Sequence, residues 1–268
     1  MSKSNKKVVN KMQELIIEDR YQKAYHGVKC IKGLFTHDIS NLFHVIGNSI
    51  ELCEMLLKEG MDKEELLEYF KLIGEQINRG KKLVKNVQNL SKLEEYGIPL
   101  ESVDLFEVLK HAIQSVKTNY PNRSLDIIIY SKVKNLIVTA NDLLLDVFEN
   151  ILMNSIVYNR NEIVHIDIVI TEVKEYEEKF IRLEFKDNGI GIDEERKKEI
   201  LREDHRKSQN SKGMGIGLSF IAKFIELCRG EMWIEDNIIG DYSKGSNFII
   251  LIPGSVMKNI CSYNYQII

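Results

Sequence analysis

Two long stretches near the start of the chain repeat apolar residues at helical spacing. The first runs from about residue 16 to residue 57 without a proline, and the second runs from residue 63 to about residue 95. At 100° per residue, the apolar side chains of each stretch gather on one broad face. Between the stretches, Gly60 and Asp62 are typical of a helix stop and a helix N-cap. The pattern therefore predicts two helices that form an antiparallel hairpin.

An isolated hairpin cannot cover both of its apolar faces. Pairing with a second copy would bury them in a four-helix bundle, so the pattern favours a homodimer. The alternative, a hairpin that packs on the rest of its own chain, would leave a long apolar seam exposed. The first face comprises Val28, Ile31, Phe35, Ile39, Leu42, Ile46, Ile50, Cys53 and Leu57, and the second comprises Leu66, Phe70, Ile73, Ile77, Val84, Val87 and Leu90.

After Gly97-Ile98-Pro99, which breaks the second helix, strand-like and helix-like patterns alternate. This order predicts an α+β protein: a helical hairpin followed by an α/β sandwich with one sheet covered by helices on one side. We assign residues 1–97 to a helical domain, 98–254 to the α/β domain and 255–268 to a tail of unknown role. Strands are expected at 100–103, 125–130, 136–139, 163–173, 180–186, 232–235 and 247–252, and helices at 105–119, 142–158, 193–201 and 216–228.

Composition narrows the functional class. The chain has 268 residues, 44% of them hydrophobic, and a formal net charge of −3. It lacks the concentrated positive charge of nucleic-acid binders, so no nucleic-acid partner is expected. No apolar run approaches the roughly 18 to 20 residues of a membrane span, and the first residues lack a signal-peptide core, which predicts a cytoplasmic protein without a membrane span. The four cysteines are too scattered for a zinc or redox motif.

Two glycine clusters provide candidate nucleotide chemistry. Asp187-Asn188-Gly189-Ile190-Gly191 follows an alternating strand, and Gly213-Met214-Gly215-Ile216-Gly217 opens a helix. A carboxylate at a strand end can accept a hydrogen bond from the amino group of adenine, and the N–H groups of a helix N-terminus can bind phosphate. Each cluster alone is better explained as an ordinary turn or helix cap. Neither has the glycine order of a Rossmann or Walker A motif.

A third motif, residues 149–158, lies in a helical pattern and places Asn150 and Asn154 on one helix face. Together the three motifs resemble the N, G1 and G2 boxes of the Bergerat-fold ATP-binding domain, which sensor histidine kinases share with gyrase, MutL and heat-shock chaperones. Gly245-Ser246-Asn247-Phe248 resembles the last box of that domain. The resemblance covers about residues 100–253 and implies that the domain binds ATP.

The resemblance also implies roles for single residues. Asn150 and Asn154 are expected on the Mg²⁺ side of the nucleotide, and Tyr158 either covers the adenine or packs in the core. Residues 203–212 resemble the ATP lid. A departure from the family is Val157, which stands where many relatives have a lysine or arginine. The expected ATP-binding set is Asn150, Asn154, Tyr158, Asp187, Gly189, Gly191, Arg206, Lys207, Lys212, Gly213, Gly215, Gly217 and Ser246.

The segment Thr36-His37-Asp38-Ile39-Ser40-Asn41 resembles the phosphoacceptor box of histidine kinases. His37 lies opposite the apolar face, and a neutral imidazole can attack phosphorus while Asp38 holds the proton on its other ring nitrogen. Asn41, one helical turn later, can orient a water molecule for dephosphorylation. In isolation, His37 would be taken for an ordinary surface histidine. His44 is the rival acceptor.

The resemblance as a whole implies a homodimeric histidine autokinase. It would use ATP and Mg²⁺, transfer phosphate from His37 to an aspartate in a receiver domain on a separate response regulator, and dephosphorylate that regulator. One alternative is a Bergerat-fold ATPase or serine kinase in which the hairpin only dimerises. Another is a scaffold that binds nucleotide without catalysis. No sensor domain is recognisable in the sequence, so the input partner is unknown.

Overall fold

The structure is a computed structural model that describes residues 36, 38–58, 63–96, 99–131, 133, 136–175, 178–201 and 215–255. These residues form two compact units. The helical unit contains the described residues up to 88 together with 215–217, and the second unit contains 89–201 together with 218–255. The predicted order, a helical region followed by an α/β region, is confirmed.

The helical unit contains α1, residues 38–58, and most of α2, Lys63–Tyr96. A Cβ atom on Gly80 of α2 would lie 3.5 Å from Leu42 Cδ1 of α1, so the helices pack closely as an antiparallel hairpin. Leu42 and Cys53 are buried, whereas Leu57, Phe70 and other apolar side chains of the predicted faces are exposed. No described helix is both long enough and apolar enough to cross a bilayer.

The second unit contains a five-stranded mixed sheet and a separate two-stranded sheet. The strands are β1 Glu101–Asp104, β2 Ser124–Ser131, β3 Ile137–Ala140, β4 Ile163–Glu175, β5 Glu178–Asp187, β6 Glu231–Ile238 and β7 Asp241–Pro253. The larger sheet has the order β2-β4-β5-β7-β6, in which β2 and β4 are parallel and the other neighbours are antiparallel. The smaller sheet pairs β1 with β3.

The prediction of one sheet is therefore wrong. β1 and β3 are four residues long and pair with each other, with Glu101 opposite Ala140 and Asp104 opposite Ile137. The sequence predicted antiparallel strand pairs. In the large sheet, β2 and β4 are parallel instead, because the chain between them crosses over through β3 and a helix. From residue 63 onward, the predicted strand and helix segments otherwise match the observed elements to within a few residues, except that β7 begins at Asp241. The start of the predicted first helix, with Val28, Ile31 and Phe35, lies outside the described residues and stays a prediction.

Four described helices accompany the strands of the α/β region. They are α3 Leu105–Asn119, α4 Leu143–Val157, α5 Glu194–Leu201 and α6 Ile216–Leu227. The Phe148 ring of α4 lies 5.8 Å from the Phe185 ring of β5, measured between centroids. Along β5 every second side chain is buried, starting at Ile181, because successive residues point to opposite faces. The same alternation places Asp187, the last residue of β5, on the buried face.

Candidate functional site

The carboxylate of Asp187 is the centre of the candidate site. Only 5% of the residue is exposed, and its side chain accepts four hydrogen bonds. Oδ1 accepts from the backbone N–H of Gly189 at 2.8 Å and of Ser246 at 3.2 Å. Oδ2 accepts from Ser246 Oγ at 2.6 Å and from Ser155 Oγ at 3.3 Å. These donors come from the loop after β5, from β7 and from α4, so three elements fix the orientation of one carboxylate.

The loop after Asp187 requires glycine at two predicted positions. A Cβ atom on Gly189 would lie 2.8 Å from the backbone oxygen of Tyr158, too close for any side chain. Gly191 has a φ of +68°, and a Cβ atom there would lie 1.6 Å from the backbone oxygen of Tyr242. Both glycines therefore allow the loop to pack tightly between the end of α4 and the β6–β7 hairpin.

Asparagine side chains hold the same loop, and the sequence analysis assigned them no role. Asn188 Oδ1 accepts from the Asn159 side chain at 2.7 Å and from the His165 backbone at 2.9 Å. Asn188 Nδ2 donates to the backbone oxygen of Ile163 at 3.1 Å. Asn237 Nδ2 donates to the backbone oxygen of Asp187 at 2.8 Å. The loop is thus bonded on both sides, which keeps Asp187 in place.

The predicted magnesium-side residues both lie on α4. Asn150 is 1% exposed, and its Nδ2 donates to the backbone oxygen of Asp146 at 2.7 Å. Asn154, one turn later, is half-buried. Within the part of the chain that the structure describes, no group of three or more histidine, cysteine or acidic side chains could hold a metal ion. The assignment of Asn150 and Asn154 to Mg²⁺ stays a prediction.

Tyr158 caps the C-terminus of α4 and is 52% exposed, so it is not a core side chain. Its backbone oxygen accepts a hydrogen bond from the N–H of Ile190 at 3.1 Å, which places it beside the glycine loop. An exposed aromatic ring next to the loop that follows the Asp187 carboxylate is compatible with stacking on adenine. The role of Tyr158 in covering adenine stays a prediction.

These residues fit the adenine end of a nucleotide. Asp187 is an acceptor-only group on the buried face of the sheet, and one of its four donors is held at the long distance of 3.3 Å. The amino group of adenine is a donor of the kind that such a carboxylate binds. Besides the bond from Gly189 to Asp187 Oδ1, the loop backbone is fixed by bonds that do not use the Asp187 side chain, from Ile190 N–H to the Tyr158 oxygen and from Asn237 Nδ2 to the Asp187 backbone oxygen, so the site does not need to assemble around the ligand.

Helix α5 follows the glycine loop and is anchored by a buried lysine. Lys197 Nζ bonds Glu194 Oε1 at 2.7 Å and also forms an ion pair with Asp236 of β6. Burial lowers the pKa of Lys197, but the hydrogen bonds and charges of Asp236 and Glu194 outweigh it, so the pKa of Lys197 is raised. Lys197 therefore stays charged at neutral pH and holds α5 against the sheet, just before the predicted lid.

The second glycine cluster and the acceptor segment are only partly described. His37, Arg206, Lys207, Lys212 and Gly213 lie outside the described residues. Gly217 lies in the first turn of α6. Gly215, just before α6, belongs to the helical unit, where a Cβ atom on it would lie 3.7 Å from Asp38 Oδ2 of α1. Asn41 and His44 are exposed on α1.

Ser155 is the contact of Asp187 that the sequence analysis missed. It follows Asn154 in the third motif and lies on the buried face of α4, next to Ile151 and Ile156. A buried hydroxyl needs an acceptor, and the helix carbonyl of Ile151, at 3.4 Å, is the acceptor that sequence alone suggests. The second acceptor, Asp187, is 32 positions further along the chain.

Comparison with known proteins finds similarity over the segment that contains this site. Residues 139–255 match the family described as histidine kinase-, DNA gyrase B-, and HSP90-like ATPase. The chain is 26% identical over 222 residues to the phytochrome-like protein Cph1 of Synechocystis sp., covering 81% of this chain and 28% of that protein. It is 28% identical over 195 residues to the sensor histidine kinase YclK of Bacillus subtilis, covering 69% of this chain and 38% of that protein.

The histidine kinase AdeS of Acinetobacter baumannii has a similar structure, with a TM-score of 0.53 and 17% identity, over 82% of this chain and 98% of that one. At this identity the likeness shows the fold alone. The chain spans well under half the length of Cph1 and YclK. The resemblance carried by the sequence motifs is confirmed: the chain is similar to sensor histidine kinases over most of its length, and residues 139–255 match the ATPase family whose description names histidine kinases, DNA gyrase B and HSP90.

Proposed function

We propose that the chain is an ATP-dependent protein histidine kinase. It phosphorylates itself on His37 and passes the phosphoryl group to an aspartate in the receiver domain of a response regulator. The observation that supports this most is the Asp187 carboxylate, fixed by four hydrogen bonds within the segment that matches the ATPase family. A rigid acceptor at this place suits the binding of adenine.

In this proposal, the residues of the ATP-binding domain bind and orient, because phosphoryl transfer needs little covalent chemistry from the protein. Asp187 accepts from the adenine amino group, and Asn150 and Asn154 offer amide oxygens to Mg²⁺. ATP supplies the phosphoryl group: a ring nitrogen of His37 forms the new bond to the γ-phosphorus, and ADP leaves. Asp38, the next residue on α1, stabilises the imidazolium that forms.

The proposal includes a homodimer. In the described part of the hairpin, apolar side chains of both helices remain exposed, among them Leu57 at 67%, Phe70 at 56% and Ile77 at 46%. These three residues belong to the apolar faces that the sequence predicts. A second copy of the hairpin would cover them in a four-helix bundle. Exposed apolar area of this extent on a helical hairpin supports that assembly.

The alternative is a Bergerat-fold ATPase or serine kinase that uses the hairpin only to dimerise. Incubation with γ-labelled ATP and Mg²⁺, followed by acid and alkali treatment, separates the two functions. Phosphate on histidine is lost in acid and retained in alkali, whereas phosphoserine survives acid. Acid-stable label, or release of phosphate without any label on the chain, would contradict the proposal.

Asn154→Asp is expected to reduce the rate of autophosphorylation at least tenfold with little loss of folding stability. Asn154 is half-buried, and the new carboxylate adds a charge where an amide oxygen is proposed to face Mg²⁺. The rate is measured over a series of Mg²⁺ concentrations, together with the melting temperature. An unchanged rate and an unchanged Mg²⁺ requirement would remove Asn154 from the metal site.

Asn41→Ala is expected to reduce phosphatase activity towards the phosphorylated regulator severalfold and to leave autophosphorylation unchanged. Asn41 is exposed on α1, four residues after His37 in the sequence, and its carboxamide can orient water without becoming a nucleophile. Loss of phosphate from purified phospho-regulator is measured separately from labelling by ATP. Asn48→Ala, a second exposed asparagine of α1, serves as the control. Equal phosphatase rates in the wild type and Asn41→Ala would contradict this role.

A further inference from the structure

The hydrogen bonds that the Asp187 side chain accepts differ in strength, and the largest difference is between the two bonds to Oδ2. Oδ2 accepts from Ser246 Oγ at 2.6 Å and from Ser155 Oγ at 3.3 Å. Hydrogen bonds between oxygen atoms are strongest near 2.7 Å, so Ser246 is the strong donor and Ser155 is the weak one. Oδ1 accepts from two backbone N–H groups, which cannot leave without moving the loop or β7.

The carboxylate has no spare acceptor position for a ligand. Two oxygens with two lone pairs each accept about four hydrogen bonds, and Asp187 already accepts four. An amino group that approaches the carboxylate must therefore take the place of a donor from the protein. The weakest donor is the one displaced at the least cost in free energy.

Ser155 has a second acceptor within reach. Its Oγ lies 3.4 Å from the backbone oxygen of Ile151, one helical turn earlier, and 3.3 Å from Asp187 Oδ2. A hydroxyl has one proton, so the two long contacts share it. If Asp187 gains another donor, Ser155 can turn its proton fully to Ile151 and remain satisfied. Ser246 Oγ has no second side-chain or backbone acceptor among the contacts that the structure describes.

We propose that Ser155 determines how strongly the site selects adenine: its hydroxyl donates to Asp187 in the free protein and yields that position to the 6-amino group of the bound nucleotide. This inference rests on the proposed binding of ATP and assigns to Ser155 a role that neither the motifs nor the family match supplies. The Ser155 hydroxyl and the 6-amino group then compete for Asp187 Oδ2. Because Ser155 can donate to the backbone oxygen of Ile151 instead, its displacement costs little free energy.

Ser155→Ala tests this proposal. Removal of the competing hydroxyl leaves Asp187 with an open acceptor position in the free protein, so ATP is expected to bind about two- to tenfold more tightly. Purine riboside triphosphate lacks the 6-amino group and does not displace Ser155. Its affinity is therefore expected to stay the same. The selectivity for ATP over this analogue should rise two- to tenfold, measured by calorimetry and by the rise in melting temperature with each nucleotide.

Ser49→Ala is the matched control. Ser49 is also buried in a helix and donates to the carbonyl four residues earlier, Val45 O, at 2.8 Å. Its replacement should leave the selectivity unchanged. If Ser155→Ala changes both affinities by the same factor, Ser155 is only structural and the inference is wrong; reduced selectivity would also overturn it. Failure of the wild type to bind ATP would overturn the proposed function itself, which distinguishes the two failures.

Discussion

His37→Gln is expected to abolish acid-labile labelling of the chain by ATP while ATP binding stays within twofold of the wild type. Glutamine has no ring nitrogen that can attack phosphorus, so no label above background should form. His37 lies in the acceptor segment, 150 positions before Asp187 in the sequence, and is not among the residues that hold the carboxylate. Labelling is measured with γ-labelled ATP, and binding is measured by calorimetry with the same preparation.

His44→Gln is the matched control for this prediction. His44 lies seven residues after His37 in the sequence and is exposed on α1, but it is followed by Val45 rather than by an acid. The variant should retain full labelling. Labelling that persists in His37→Gln and disappears in His44→Gln would transfer the acceptor role to His44. Persistence in both variants would contradict His37 as the sole acceptor.

Local patterns predicted the parts of the fold that depend on neighbouring residues. α3 begins and ends at the predicted residues, and Asp104 caps its start by accepting from the N–H groups of Phe106 and Glu107. Asp187 lies at the end of β5, as the alternation from Phe180 onward indicates, whereas its burial is seen only in the structure. Periodicity, caps and glycine turns act over a few residues, so a single sequence contains them.

Contacts between distant segments could not be predicted in the same way. Ser155 and Ser246 reach Asp187 across 32 and 59 positions, and no local pattern marks either pairing. Ser246 was proposed for the site only because its motif resembles the last box of the family. The separate sheet of β1 and β3 was missed for the same reason, since strand partners depend on packing and not on local alternation.

Asp187→Asn is expected to weaken ATP binding about ten- to a hundredfold without unfolding the domain. In the variant, Oδ1 can still accept from the backbone N–H groups of Gly189 and Ser246. Nδ2 replaces Oδ2, and the hydroxyls of Ser155 and Ser246 can turn to accept from it. The four contacts of the side chain are therefore kept, two of them with donor and acceptor exchanged. The adenine amino group, however, meets a donor in place of an acceptor.

Asp126→Asn removes the same charge from an exposed aspartate of β2, which bonds His165 at 2.9 Å, and it should leave ATP binding unchanged. That control separates the local hydrogen bond from a general effect of net charge.

The same reasoning predicts that the wild type selects ATP over GTP. A carboxylate cannot donate to the carbonyl at position 6 of guanine, so GTP should bind at least tenfold more weakly than ATP. Equal affinities for ATP and GTP, or ATP binding that survives Asp187→Asn unchanged, would show that Asp187 holds the loop and not the base.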